Sequence, residues 1–276
     1  MAHFFEVIKN SRINFDVELA KIQNLVSSEV RYYWSEWGTL LDYLNEKVFR
    51  DLPLSNNYTN LHLYISDLFE SAKDSSDRFI FYCEFALSLF EQSANRMKHT
   101  YAGSNMEKTI NETVKIIDVD LKKLNLVRKM IADDELGYVW LIVPNNATLE
   151  KALTKVDESN IQDYLIEYCS SHNDGNVERK EELLILIQKY IEGITKNRAY
   201  KESNERLFDN VDMLFNNLDL RHNKDVNDPR YYEETKNNRE HWLDMLYDLS
   251  LMVINSKEEY EHNKEIKDLK RKVSGK

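Results

Sequence analysis

The sequence predicts a mainly α fold, a multi-helix bundle with one inserted β-hairpin, and three observations carry that expectation. Only 6 Gly and 3 Pro occur in 276 residues. These residues make tight turns and interrupt helices, so their scarcity implies long helices with few connections. Apolar residues, 42% of the chain, are enough for a core and recur along most of it at spacings of three and four. One stretch, 124–145, leaves that period for β-branched and aromatic runs around a polar turn.

In order along the chain, helical spacing runs from about residue 4 to 50. Val17, Ile22, Leu25 and Val26 share a face, the aromatic cluster Tyr32, Tyr33, Trp34 and Trp37 follows, and Leu40, Leu41 and Leu44 continue the pattern. Pro53 and Ser55-Asn56-Asn57 make a loop. Leu61, Ile65, Leu68 and Phe69 resume the helix, and Ser75-Ser76-Asp77 offers N-caps for the next. That next helix, about 77–98, is apolar on nearly every side through Phe90, which marks a buried central element. Leu126 to Ile131 and Tyr138 to Val143, joined through Asp133-Asp134-Glu135 and Gly137, read as a hairpin over about 125–143 that must pack on helices to be stable. Helical stripes return with Leu183, Ile187, Tyr190, Ile191 and Ile194 after a loop at 172–176, then with Leu207, Val211, Leu214 and Leu218. A last helix carries Trp242, Met245, Leu246, Leu249, Met252 and Val253 and becomes a charged tail. The implied organisation is an N-terminal helical region, 1–145, ending in the hairpin, and a C-terminal helical bundle, 146–276.

Charge and composition narrow the function classes. The net charge of −11 repels phosphate backbones on average and disfavours a general nucleic-acid coat. Cys83 and Cys169 each sit in apolar helical patterns, as reduced buried thiols do, and no paired Cys/His spacing for zinc occurs. The first residues lack a signal-peptide layout, and the run Phe79 to Phe90 is broken by Glu84 and too short to span a bilayer. A cytoplasmic protein with no membrane partner is expected, and the wealth of Asn, Lys and Ile suggests an AT-rich bacterial genome. No phosphate loop, GxSxG or HExxH occurs, so no cofactor is expected. Glu259 and His262 have the three-residue spacing of a ligand pair, but a solvated helix surface explains them more simply, and no metal is expected.

Candidate chemistry concentrates at Leu220-Arg221-His222-Asn223-Lys224-Asp225, between two predicted helices. Metal-independent RNA cleavage needs a base for the ribose hydroxyl proton and a cation for the phosphorane charge, roles that histidine and arginine fill. Arg221 followed by the polar His222 resembles the start of the motif of the HEPN superfamily of bacterial defence and abortive-infection proteins, helical bundles that carry an arginine, a polar residue and then a histidine at a helix junction. The resemblance implies a phage-defence or toxin-type ribonuclease, with Arg221, His222, Asn223 and His241 as candidate catalytic residues. Val226 and Asn227 stand where the family's histidine would be, and the next histidine is His241. The competing reading is that Arg221 caps helix carbonyls while His222 and Asn223 make the turn. Two functions are therefore carried forward: RNA cleavage at this junction, or a non-enzymatic helical module that binds another protein through aromatic surfaces. RNA, a protein or a second copy of the chain are the partner classes these leave. Lys122, Lys123, Arg128 and Lys129 form a modest basic patch beside the hairpin.

Overall fold

Local caps and breakers set most element boundaries. A computed structural model describes residues 8, 11, 13–31, 37–97, 104–134, 137–196, 200–201, 204–218, 220 and 235–274. The chain divides into two compact units, residues 2–145 and 146–276. The fold is mainly helical, with two small two-stranded antiparallel sheets among the described residues.

In the first unit, helix α1 (Phe15–Val26) starts where the Asn14 side chain accepts the Val17 N–H, and it buries Leu19, Ile22 and Val26. Val17, expected on that face, is exposed instead. The chain does not stay helical to residue 50. Strand β1 (Glu29–Arg31) pairs antiparallel with β2 (Trp37–Thr39), Val30 opposite Gly38. The reason lies in composition: Val30 and Trp37 favour extended backbone, and Gly38 is a poor helix former. Tyr32, Tyr33 and Trp34 fall outside the described residues. Thr39 and Asp42 form a reciprocal capping box that opens α2 (Leu40–Tyr43), which widens into a π turn at Leu44–Val48 and tightens at Phe49–Asp51. Hydrogen bonds from Thr39 hold the Asp42 carboxyl below its usual range.

Helix α3 (Leu61–Ser71) is capped by Asn60. The cap of α4 (Ser75–Met97) is Asp74, one residue before the expected Ser75-Ser76-Asp77, accepting from the N–H groups of Ser76 and Asp77. Helix α4 is the central element, with every residue from Phe79 to Phe90 buried. Helix α5 (Ser104–Lys123) ends at Asn125, whose φ of 53° turns the chain, a conformation asparagine tolerates better than most side chains. Strands β3 (Leu126–Asp133) and β4 (Gly137–Pro144) make the expected hairpin, with Asp133 opposite Gly137. It packs on α4: the Ser88 hydroxyl accepts the Trp140 N–H at 2.9 Å and the Glu84 carboxylate accepts the Ile142 N–H at 2.7 Å.

The second unit is a helical bundle. Its α6 (Ala147–Leu153) is capped by Asn146, α7 (Ser159–Tyr168) leads to a turn at 171–173 and Gly175, and Asn176 caps α8 (Val177–Thr195). Helix α9 (Glu205–Asn217) and α10 (Arg239–Ser274) complete it. Leu243, Leu246, Tyr247, Leu251 and Ile254 of α10 face the core, whereas Met245 and Met252, expected there, are exposed. Met245 and Met252 share a face with each other, but at about 100° per residue it is turned roughly 180° from the face of Leu243, Tyr247, Ser250 and Ile254. Among the described residues no helix is long and apolar enough to cross a membrane.

Candidate functional site

Three places in the structure bear on function: the junction between α9 and α10, a charged cluster beside it, and a tyrosine-lined cleft. Arg221, His222 and Asn223 lie outside the described residues. His241 is exposed on the first turn of α10, edge-on to its neighbour Trp242 with ring centroids 5.8 Å apart. At the end of α9, the Leu218 carbonyl accepts a hydrogen bond from Arg239, which also pairs with Glu181 at 2.6 Å. An arginine of the following helix thus bonds this helix end.

The charged cluster was not read from the sequence. Lys180 lies on α8 in line with Leu184, Ile187 and Ile191, and it is buried with them. Its ammonium donates to Glu240 at 2.7 Å and Asp244 at 2.8 Å, carboxylates one turn apart on α10. It also sits 5.5 Å from the centre of the Tyr168 ring. Tyr168 stacks on Tyr247 with centroids 4.1 Å apart and donates to Asp244 at 3.1 Å. The Tyr247 hydroxyl donates to the Leu165 carbonyl at 2.7 Å and accepts from the Cys169 thiol at 3.1 Å. The Gly175 N–H reaches Glu240 at 2.7 Å.

Burial lowers the Lys180 pKa, but the hydrogen bonds to Asp244 and Glu240 outweigh it and the net shift is upward. Lys180 therefore stays an ammonium and is unfit as a nucleophile or base. Burial pushes the Cys169 thiol up to about 12 and the Cys83 thiol well above its ordinary value, so neither is a thiolate near neutrality. The cluster ties α7, α8 and α10 together. A lysine in register with an apolar stripe, and two acids four apart on a core-facing helix, were the available sequence signals.

The cleft, about 680 Å³, lies between α7, α8 and α10 within the second unit. Tyr164, Tyr190, Tyr200 and Tyr260 line it, with Lys189, Lys257, Glu158 and Glu261 among its polar residues. Tyr200 forms a fixed floor. It is buried, its hydroxyl donates to the Val253 carbonyl at 2.6 Å and lies 2.6 Å from Ser256 Oγ, and its ring meets Phe208 and Tyr260 edge-on, each at 5.1 Å. Tyr164, Tyr190 and Tyr260 are half-buried. Burial, followed by the charges of Asp157 and Glu158, raises the Tyr190 pKa, so its hydroxyl is a neutral donor at physiological pH. Nothing in the sequence joins tyrosines from four separate segments.

The basic patch beside the hairpin is largely engaged. Arg128 makes a two-pronged bond with Asp118 at 2.8 and 3.2 Å and lies 4.6 Å over the Trp140 ring, and Lys123 pairs with Asp120 at 2.6 Å. Among the described residues no group of three or more His, Cys, Asp or Glu is placed to hold a metal ion. His262 is exposed. Comparison of the chain with family models, with curated proteins and with solved structures finds no match.

Proposed function

We propose that this protein is a non-enzymatic binding module whose second unit takes a segment of a partner protein into the tyrosine-lined cleft. The observation that carries the reading is the pairing of a fixed aromatic floor, Tyr200, with half-buried tyrosine walls in an open cleft of about 680 Å³. That volume is in the range of ligand sites, and tyrosine supplies contact area at low entropic cost together with a polar tip. Two lysines and two glutamates among the lining residues make it electrically mixed, which suits a peptide with an apolar or aromatic anchor better than a phosphate backbone. Lys180 is held as an ammonium and the Cys83 and Cys169 thiols are held protonated near neutrality.

Panning a random peptide library against the full chain tests this. Enriched peptides should share a large apolar anchor, and Tyr190→Ala should weaken them about thirtyfold, the effect of losing an interface anchor worth about 2 kcal/mol, with the circular dichroism unchanged. Peptides that bind equally to Tyr190→Ala and Tyr164→Ala, or a failure to enrich any, would remove the cleft from the account.

The RNA-cleaving reading remains as a second proposal on one observation, the exposure of His241 on the helix that follows the Arg221 segment. Cellular RNA and growth after induced expression test it. RNA breakdown in the wild type that vanishes in Arg221→Ala and His241→Ala supports a ribonuclease, and intact RNA throughout with folded protein retires it.

A further inference from the structure

Glycine is scarce in this chain, 6 in 276 residues. Two of the six, Gly137 and Gly175, hold a φ of 76°, a conformation that other side chains avoid. Gly193 has no such reason. It lies inside α8 at an exposed position with a right-handed helical backbone, and a Cβ built on it would meet no described atom within 4 Å. Glycine is the poorest helix former after proline. The helix therefore loses stability at this position, and the fold gains nothing from the missing side chain.

What the missing side chain opens is the cleft. Gly193 lines it together with Leu186, Lys189 and Tyr190, the residues seven, four and three before it and so on one helical face. Tyr164 of α7 and Tyr260 of α10 stand on the other walls. At Gly193 the α8 backbone is bare, so an occupant reaches the peptide groups of the helix themselves. A flat group fits such a surface. The surrounding tyrosines favour an aromatic one, because rings pair edge-on or offset with a gain beyond the area they bury, and Tyr260 already meets Tyr200 in this way at 5.1 Å. Lys189, about one turn before Gly193, adds an ammonium that is drawn to a ring face and gains nothing comparable from an aliphatic side chain.

We infer that Gly193 is the seat of the partner segment's anchor, and that this anchor is an aromatic side chain laid on the bare backbone of α8 beside Tyr190. The inference rests on the reading of the cleft as a peptide site. It adds the class of side chain received and the position that selects it. A side chain at 193 fills the seat, so folding and binding respond in opposite directions: Gly193→Ala strengthens the helix and weakens the partner.

Parallel panning of one random peptide library against the full-length wild type and Gly193→Leu tests it, with circular dichroism to show that both are folded. Position 193 is open, so the leucine has room in the free protein. The wild type should enrich peptides with Trp, Phe or Tyr at one fixed position, and Gly193→Leu should not. A fluorescent copy of the most enriched peptide should bind Gly193→Ala about fivefold more weakly, the effect of one methyl group too many in a filled site. The same variant should unfold at a temperature about 2 °C higher. Peptides that need Tyr190 but bind wild type, Gly193→Ala and Gly193→Leu equally, or that carry only aliphatic anchors, overturn this inference and leave the cleft standing. A Gly193→Ala variant that melts lower makes the glycine structural and overturns it as well. A library that enriches nothing against the wild type removes the cleft, and the inference with it.

Discussion

Glu84 and Ile142, 58 residues apart, are joined by a 2.7 Å hydrogen bond in which a buried helix carboxylate accepts a strand N–H. One helical turn on, Ser88 accepts the N–H of Trp140. The two spacings match: four helix residues rise about 6 Å, and two strand residues about 6.6 Å. A helix can therefore satisfy alternate N–H groups along the strand edge that β3 leaves open, and a two-stranded sheet gains a covered edge without a third strand. This explains why a glutamate interrupts the most apolar helix of the chain.

Replacing Glu84 with Leu should leave the Ile142 N–H buried and unpaired and cost about 2–3 kcal/mol. Glu84→Gln, which keeps an acceptor, should cost about 1 kcal/mol. Urea unfolding measures both, and hydrogen exchange at Ile142 should accelerate in the leucine variant. Equal stability of the two variants would show that the bond does not carry the hairpin.

Removing the Lys180 ammonium should be worse than removing the whole cluster. Lys180→Met leaves Glu240 and Asp244 crowded together without their cation, a loss of about 3 kcal/mol. Adding Glu240→Gln and Asp244→Asn to that variant should recover part of it. A double-mutant cycle showing no coupling between Lys180 and Asp244 would contradict the pairing.

The second unit should weaken in alkali. Burial raises the thiol of Cys169 and the phenols of Tyr168 and Tyr247, and the carboxylates, against burial, raise Lys180. In each case the folded value exceeds the ordinary one of 9.0, 10.0 or 10.5. The folded state then holds these protons more tightly, so their contribution is complete below those ordinary values and is lost as pH rises past them toward the folded ones. The urea midpoint should hold on this account up to about pH 9 and fall beyond it, and Cys169→Ala should delay the onset. A midpoint that declines only in acid would refute this assignment.

Two tyrosines of the cleft should behave oppositely. Tyr200→Ala removes a buried ring and its bond to the Val253 carbonyl and should cost about 3–5 kcal/mol, whereas Tyr190→Ala, at a half-buried wall, should cost at most about 1 kcal/mol. Thermal melts of the two variants separate floor from wall.

The sequence by itself determined the helical class and the hairpin, because these depend on neighbours within a few residues. Caps are equally local, although the single one expected, at Ser75-Ser76-Asp77, falls one residue away at Asp74. Asn14, Asn60, Asn146 and Asn176 cap helices through bonds that reach two or three positions, and Gly137 ends its turn where a left-handed φ is required. Local reading failed where it had two periods to choose from: the aromatic run after Ser28 fits a helix by spacing and a strand by residue type, and Val30 pairing with Gly38 decided it. The rest belongs to the tertiary structure alone. Lys180 finds Asp244 across 64 residues, and the tyrosine cleft draws on α7, α8, α10 and Tyr200. A buried lysine and a surface lysine are the same letter in the sequence. Only packing, which removes water from one and not the other, sets the difference in what each must pair with.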